Sequence, residues 1–318
     1  MTKTIPPDLI AHLQWQPGGR NPAPPRNPNP VTPPNPARTN PIMPSGSFTI
    51  EDLLKNGKDF YSEEKDSDNK HIGVPKSLAA ALEYATADGL VASLPYLVAG
   101  MATADKRNYL WKNWHTALTE EDAGIDKKGI FTRRGEGVVL VLHGGGILNT
   151  PERIFKAYSD GLTPQNTAKY TNEEFDNLLE GKLPSGEEIN ICTVDDLRST
   201  SKKLTDPFGR FAVAIPIEKA QEKDSGYLNK TDFMNNDLVL ARAGTLEYLE
   251  KYFDKAVSGG TVGSWHRFSE IDPSQPQGRV LYVVTDSIGL IGNFSLGDDA
   301  SFVGVAPEAR RPKKGKGA

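Results

Sequence analysis

Five consecutive apolar residues, Val138 to Leu142, stand between Gly137 and His143. A run of β-branched residues and leucine with no polar alternation predicts a strand buried on both faces. Gly144, Gly145 and Gly146 follow, and Thr150-Pro151 reads as an N-cap with proline at the first helical position. The segment therefore predicts a strand, a glycine loop and a helix start, a junction where backbone N–H groups and a helix dipole can receive a ligand.

Elsewhere the pattern alternates between helical and extended spacing. Thr49-Ile-Glu-Asp52 predicts a short capped helix closed by Gly57, and residues 62–71 a polar loop. Residues 77–103 are strongly apolar but contain Glu83, Asp88, Gly89 and Pro95, which predicts two buried helices broken near Asp88-Gly89 rather than a membrane span. Thr171-Asn-Glu-Glu174 is a capping box opening a helix with Phe175, Leu178 and Leu179. Glu188 to Cys192 alternates as a strand, Thr193 to Asp196 starts a helix, and Arg210–Pro216 and Leu238–Arg242 read as strands. Leu246, Leu249, Phe253 and Val257 share one helical face, with Glu247 and Lys251 paired on the other. Val280–Val284, Ile288–Ile291 and Phe302–Val305 predict short strands with tight turns.

These elements predict an α/β or α+β fold: a mixed sheet with packed helices, a short C-terminal β-meander and a proline-rich N-terminal arm. The arm is residues 1–46, the body 47–307 (helical part 47–130, α/β part 131–307), and a basic tail 308–318. Residues 17–44 hold 11 of the 24 prolines, which favours extended polyproline II or disorder. Pro33-Pro-Asn-Pro36-Ala-Arg38 fits a proline-rich ligand, and a plain spacer is the commoner use of such a segment.

Charge is unevenly spread. Residues 1–46 carry a net +3 and the last nine residues +5, so a total of −4 leaves the body at −12. An acidic body is a poor match to a dedicated nucleic-acid-binding domain, while the tail suits an acidic partner. Cys192 is the sole cysteine, which excludes an intramolecular disulfide and a cysteine-based zinc cluster. The Met1–Asp8 start lacks the apolar core of a signal peptide, so a cytoplasmic location is expected.

The strand ending in His143-Gly-Gly-Gly146 resembles the oxyanion-hole loop of the hormone-sensitive-lipase branch of the α/β-hydrolases. That resemblance implies backbone N–H groups stabilising an oxyanion, and it requires a Gly-x-Ser-x-Gly elbow and a later histidine. No such pentapeptide occurs. Ser287 precedes Gly289 but has Thr285 where the first glycine belongs, and no histidine follows His266. The resemblance stays confined to about ten residues. What remains is an anion cradle at Gly144, Gly145, Gly146 and Thr150, or a tight turn.

No histidine pair has metal-ligand spacing, so no metal ligands are assigned, and the sequence leaves any cofactor unknown. His115 and His266 are flanked by aromatics, as pocket or core histidines are. Convergence of His143, His266 and Asp286 would permit acid–base chemistry. The carboxylate groups Glu120-Glu-Asp122, Asp195-Asp196 and Asp298-Asp299 read as helix starts and turns. The preferred functional reading is a non-catalytic interaction or assembly protein, binding a protein partner or self-associating through its arm. The alternative is an enzyme, or a binder of a small anion, at residues 143–150.

Overall fold

The computed structural model describes residues 48–199, 209–221, 225–285, 289–292 and 296–307. The proline-rich arm, the basic tail and Asp286 lie outside them. Twelve strands in these residues join one mixed sheet, in the order β6-β7-β4-β3-β10-β11-β9-β8. Their ranges are β1 Gly57–Ser62, β2 Leu90–Val91, β3 His115–Ile125, β4 Gly137–His143, β5 Ala168–Lys169 and β6 Asn190–Thr193. The remainder are β7 Phe211–Pro216, β8 Gly226–Asn229, β9 Thr261–Trp265, β10 Gln277–Val284, β11 Gly289–Ile291 and β12 Ala300–Val305.

At the centre, β3 runs antiparallel to both β4 and β10. On the far side of β4 lies antiparallel β7, with Val139 opposite Ile215 and Val141 opposite Val213. The apolar run of β4 is buried throughout, as expected for a strand covered on both faces. β10 and β11 form an antiparallel hairpin, β11 pairs in parallel with β9, and β12 crosses to pair with β1, β2 and β3.

Helices form where local signals ask for them. Helix α1, Ile50–Asn56, is opened by a capping box between Thr49 and Asp52. The apolar stretch becomes α2, Gly73–Ala85, and α3, Leu94–Thr103, separated by β2; Pro95 sits in the first turn of α3. Among the described residues no helix is long and apolar enough to cross a membrane. Helix α4, Pro151–Asp160, starts at Thr150, and α5, Asn172–Leu179, starts at the Thr171–Glu174 capping box. Thr193 caps α6, Val194–Arg198, in the same way.

Two expectations are corrected. Leu238–Arg242 is not a strand but part of α9, Asp237–Ala243, which follows the short α7, Ile217–Gln221, and α8, Lys230–Asn235. The side chain of Asn236 caps the N–H groups of Leu238 and Val239, and Gly244 ends the helix at φ +68°. Residues Leu238 to Ala243 are all buried, so the segment has no polar face to reveal a helical period. The last helix, α10, Leu246–Ala256, buries Leu249, Tyr252 and Phe253. The second correction concerns Glu120, Glu121 and Asp122. They occupy no helix start or turn; all three are buried in the middle of β3.

Candidate functional site

The glycine loop begins where β4 ends. Gly144 and Gly145 take φ values of +81° and +98°, a backbone region that favours glycine. Thr150 accepts a hydrogen bond from the Arg153 N–H at 3.1 Å and so caps α4, as its spacing predicts. The loop's donors are turned inward. Gly144 N–H donates to the Leu118 carbonyl at 2.9 Å, and the N–H groups of Gly146 and Leu148 both donate to Glu120 Oε1 at 2.8 Å. The carboxylate held in this cradle is the protein's own.

His143 is equally engaged. Its Nε2 lies 2.9 Å from the Ala241 carbonyl, which requires the proton on Nε2, and Nδ1 lies 3.3 Å from Thr119 Oγ1. That hydroxyl also accepts the Leu94 N–H, which leaves its own hydrogen for His143. The ring is wholly buried, 4.6 Å from the Phe211 ring. Burial lowers its pKa to about 3, against a smaller upward effect of the Ala241 hydrogen bond. A neutral imidazole with both nitrogens hydrogen-bonded has no free lone pair to take a substrate proton.

His266 follows β9, which stands four places from β4 in the sheet. Ser225 Oγ fixes its backbone by accepting from the His266 N–H at 2.8 Å and donating to its carbonyl at 3.1 Å. Its ring lies 5.5 Å from that of Phe268. The two histidines thus belong to different parts of the sheet.

The burial of three consecutive carboxylates was not legible, because their partners are remote in sequence. Alternation along β3 sends Glu120 and Asp122 to one face and Glu121 to the other. Glu121 receives Arg242 Nε at 2.7 Å and Arg279 Nε and Nη2 at 3.0 and 2.8 Å. Burial pushes its pKa up, but the two guanidinium groups outweigh this and hold it below the usual glutamate range. Arg242 also donates to Ser264 Oγ and the Leu290 carbonyl, tying α9 to β9 and β11.

On the opposite face, burial raises Glu120 to about 7, although the loop N–H groups and Arg153 favour its charged form. Asp122 is raised too, first by burial and then by the charge of Glu120, while Tyr170 donates to its Oδ1 at 2.8 Å. Glu120 Oε2 and Asp122 Oδ2 are buried without a hydrogen-bond partner.

Exposed aromatic surface gathers elsewhere. Tyr61 on β1 is 54% exposed and meets Trp114 edge-on, ring centroids 6.1 Å apart; Trp114 in turn lies 5.6 Å from Tyr282 on β10. The Tyr61 hydroxyl is 2.8 Å from Asp299 Oδ2 and 3.1 Å from Glu63 Oε2. Asp299 Oδ1 is 3.0 Å from His71 Nδ1. Burial first, then both carboxylates, push the Tyr61 phenol upward. Tyr61, Glu63 and His71 are near one another in sequence, but Asp299 reaches them only because β1 pairs with β12, where Tyr61 lies opposite Ser301. His115, beside Trp114, is buried and 3.4 Å from Asp59.

No protein-family description and no curated protein matches the chain. A solved structure does, described as concerned with the accommodation of massive sequence variation in Nanoarchaeota by the C-type lectin fold. The TM-score is 0.58 at 23% identity, covering 80% of this chain and 99% of that one. The likeness shows the fold.

Proposed function

We propose, on a C-type lectin-like fold, that this chain is a non-catalytic binding protein whose ligand surface is the Tyr61–Trp114 pair with its bordering residues Glu63, His71 and Asp299. The observation that carries the reading is the 54% exposure of Tyr61, held edge-on to Trp114 and hydrogen-bonded to Asp299. An aromatic side chain fixed in one orientation loses little entropy on binding and offers a large apolar face with polar groups at its rim. The fold likeness supports the reading, since the neighbour's fold is described as accommodating massive sequence variation. An interior that keeps its shape while surface residues differ is what a binding scaffold requires. The inward donors of the glycine loop and the fully engaged His143 argue against chemistry at 143–150.

Arrays of glycans and peptides probed with the full chain test this. Ligands found there should be lost by Tyr61→Leu and Trp114→Leu, with melting temperatures near that of the native chain for the exposed Tyr61 variant. Binding that survives both substitutions would refute the assignment.

A further inference from the structure

The chemistry of that surface selects among ligands. The Tyr61 hydroxyl donates its one proton to Asp299 at 2.8 Å and has Glu63 at 3.1 Å, so two carboxylates place negative charge at the ring's edge. A phenol hydrogen-bonded to carboxylate presents an electron-rich face, and cations are attracted to such faces. The described part of the protein uses this attraction repeatedly. A lysine or arginine lies over the rings of Phe60, Tyr84, Trp111, Tyr170, Tyr248 and Phe268, at 4.2 to 5.8 Å from the centroid. No described lysine or arginine lies over Tyr61 or Trp114, although Lys58 on the same strand sits over Phe60 and Tyr84.

The bordering charges point the same way. Glu64 is paired with Lys76 at 3.2 Å, and the nearest basic group to Asp299 is the His71 imidazole, Nδ1 to Oδ1 3.0 Å. Glu63 is exposed and has no described cationic partner within ion-pair distance. An exposed tyrosine ring backed by a half-buried tryptophan, with an unmatched carboxylate beside them, leaves a cation's place open at the protein surface.

Resting on the binding reading above, we infer that the Tyr61–Trp114 surface takes a lysine or arginine side chain from a basic polypeptide segment. The ammonium or guanidinium group would lie over the ring faces with Glu63 as counter-ion. The chain itself contains a segment of this chemistry, Arg310, Arg311, Lys313, Lys314 and Lys316, and the occupant is this tail of a second copy.

The probe is a labelled peptide with the sequence of residues 308–318, titrated by fluorescence anisotropy into the full chain. A second host, full length with its own five tail cations replaced by glutamine, removes competition from the tail. The peptide should bind; Tyr61→Leu should weaken it by about five- to thirty-fold, the range of a partly desolvated cation–aromatic contact, and Glu63→Gln by about two- to five-fold, that of an exposed ion pair. A peptide with glutamine at all five cationic positions should bind at least as much more weakly. Lys58→Ala, whose ring contacts are Phe60 on β1 and Tyr84 on α2, should leave the affinity unchanged. Absence of binding to both hosts, or binding indifferent to Tyr61 and Glu63, overturns the inference. If the glutamine peptide binds as tightly and is still lost in Tyr61→Leu, the surface remains a binding site and only the cationic class falls.

Discussion

Replacing Glu120 by glutamine should stabilise this protein at neutral pH, against the usual expectation for a buried hydrogen-bonded group. Burial lifts Glu120 from an ordinary 4.5 to about 7. A carboxyl raised in the folded state binds its proton more tightly there than in the unfolded chain. Its contribution is therefore complete below about pH 4.5 and is lost as pH rises through about 7. At 1.36 kcal/mol for each tenfold change, ionising this one group in the fold costs about 3 kcal/mol at pH 8. Glutamine keeps the Oε1 acceptor for Gly146 and Leu148, and its amide replaces the oxygen that has no partner. Leaving that amide without an acceptor costs about 1 kcal/mol, so a net gain of about 1–3 kcal/mol is expected above pH 7.5. The gain should vanish near pH 4.5. Urea unfolding of both proteins across this range measures it, and the difference between the curves cancels every other titrating group except Asp122, which loses the repulsion of Glu120's charge. A difference independent of pH, or Glu120→Gln unfolding more readily at pH 8, would sink the argument.

Three further outcomes follow from single contacts. Arg242→Met removes one of the two guanidinium groups on Glu121 and should cost about 3–5 kcal/mol by denaturant unfolding, because a buried carboxylate is left half-matched. His143→Ala should cost about 2–4 kcal/mol from the cavity and the buried Ala241 carbonyl left without its donor, while binding measured at a permissive temperature is retained. Asn236→Ala removes the cap from two N–H groups of α9 and should lower stability by about 1–2 kcal/mol in the same assay.

Sequence alone determined whatever depends on neighbours a few residues apart. The capping boxes at Thr49, Thr171 and Thr193, the buried strand before His143 and the break within residues 77–103 all carry their reason locally. It also set the class of fold, a mixed sheet with packed helices, since alternating periods leave few other arrangements. Tertiary structure decided the rest. Helix α9 looks extended in sequence because it is covered all round, so burial erased its period. Glu120, Glu121 and Asp122 look like surface charge, and become core because Gly146, Leu148, Tyr170, Arg242 and Arg279 reach them from 26 to 158 residues away. The surface at Tyr61 depends on β12 returning to β1 across more than two hundred residues. Hydrogen bonds and ion pairs act over a few ångströms, and one-dimensional spacing does not say which distant residues come within them.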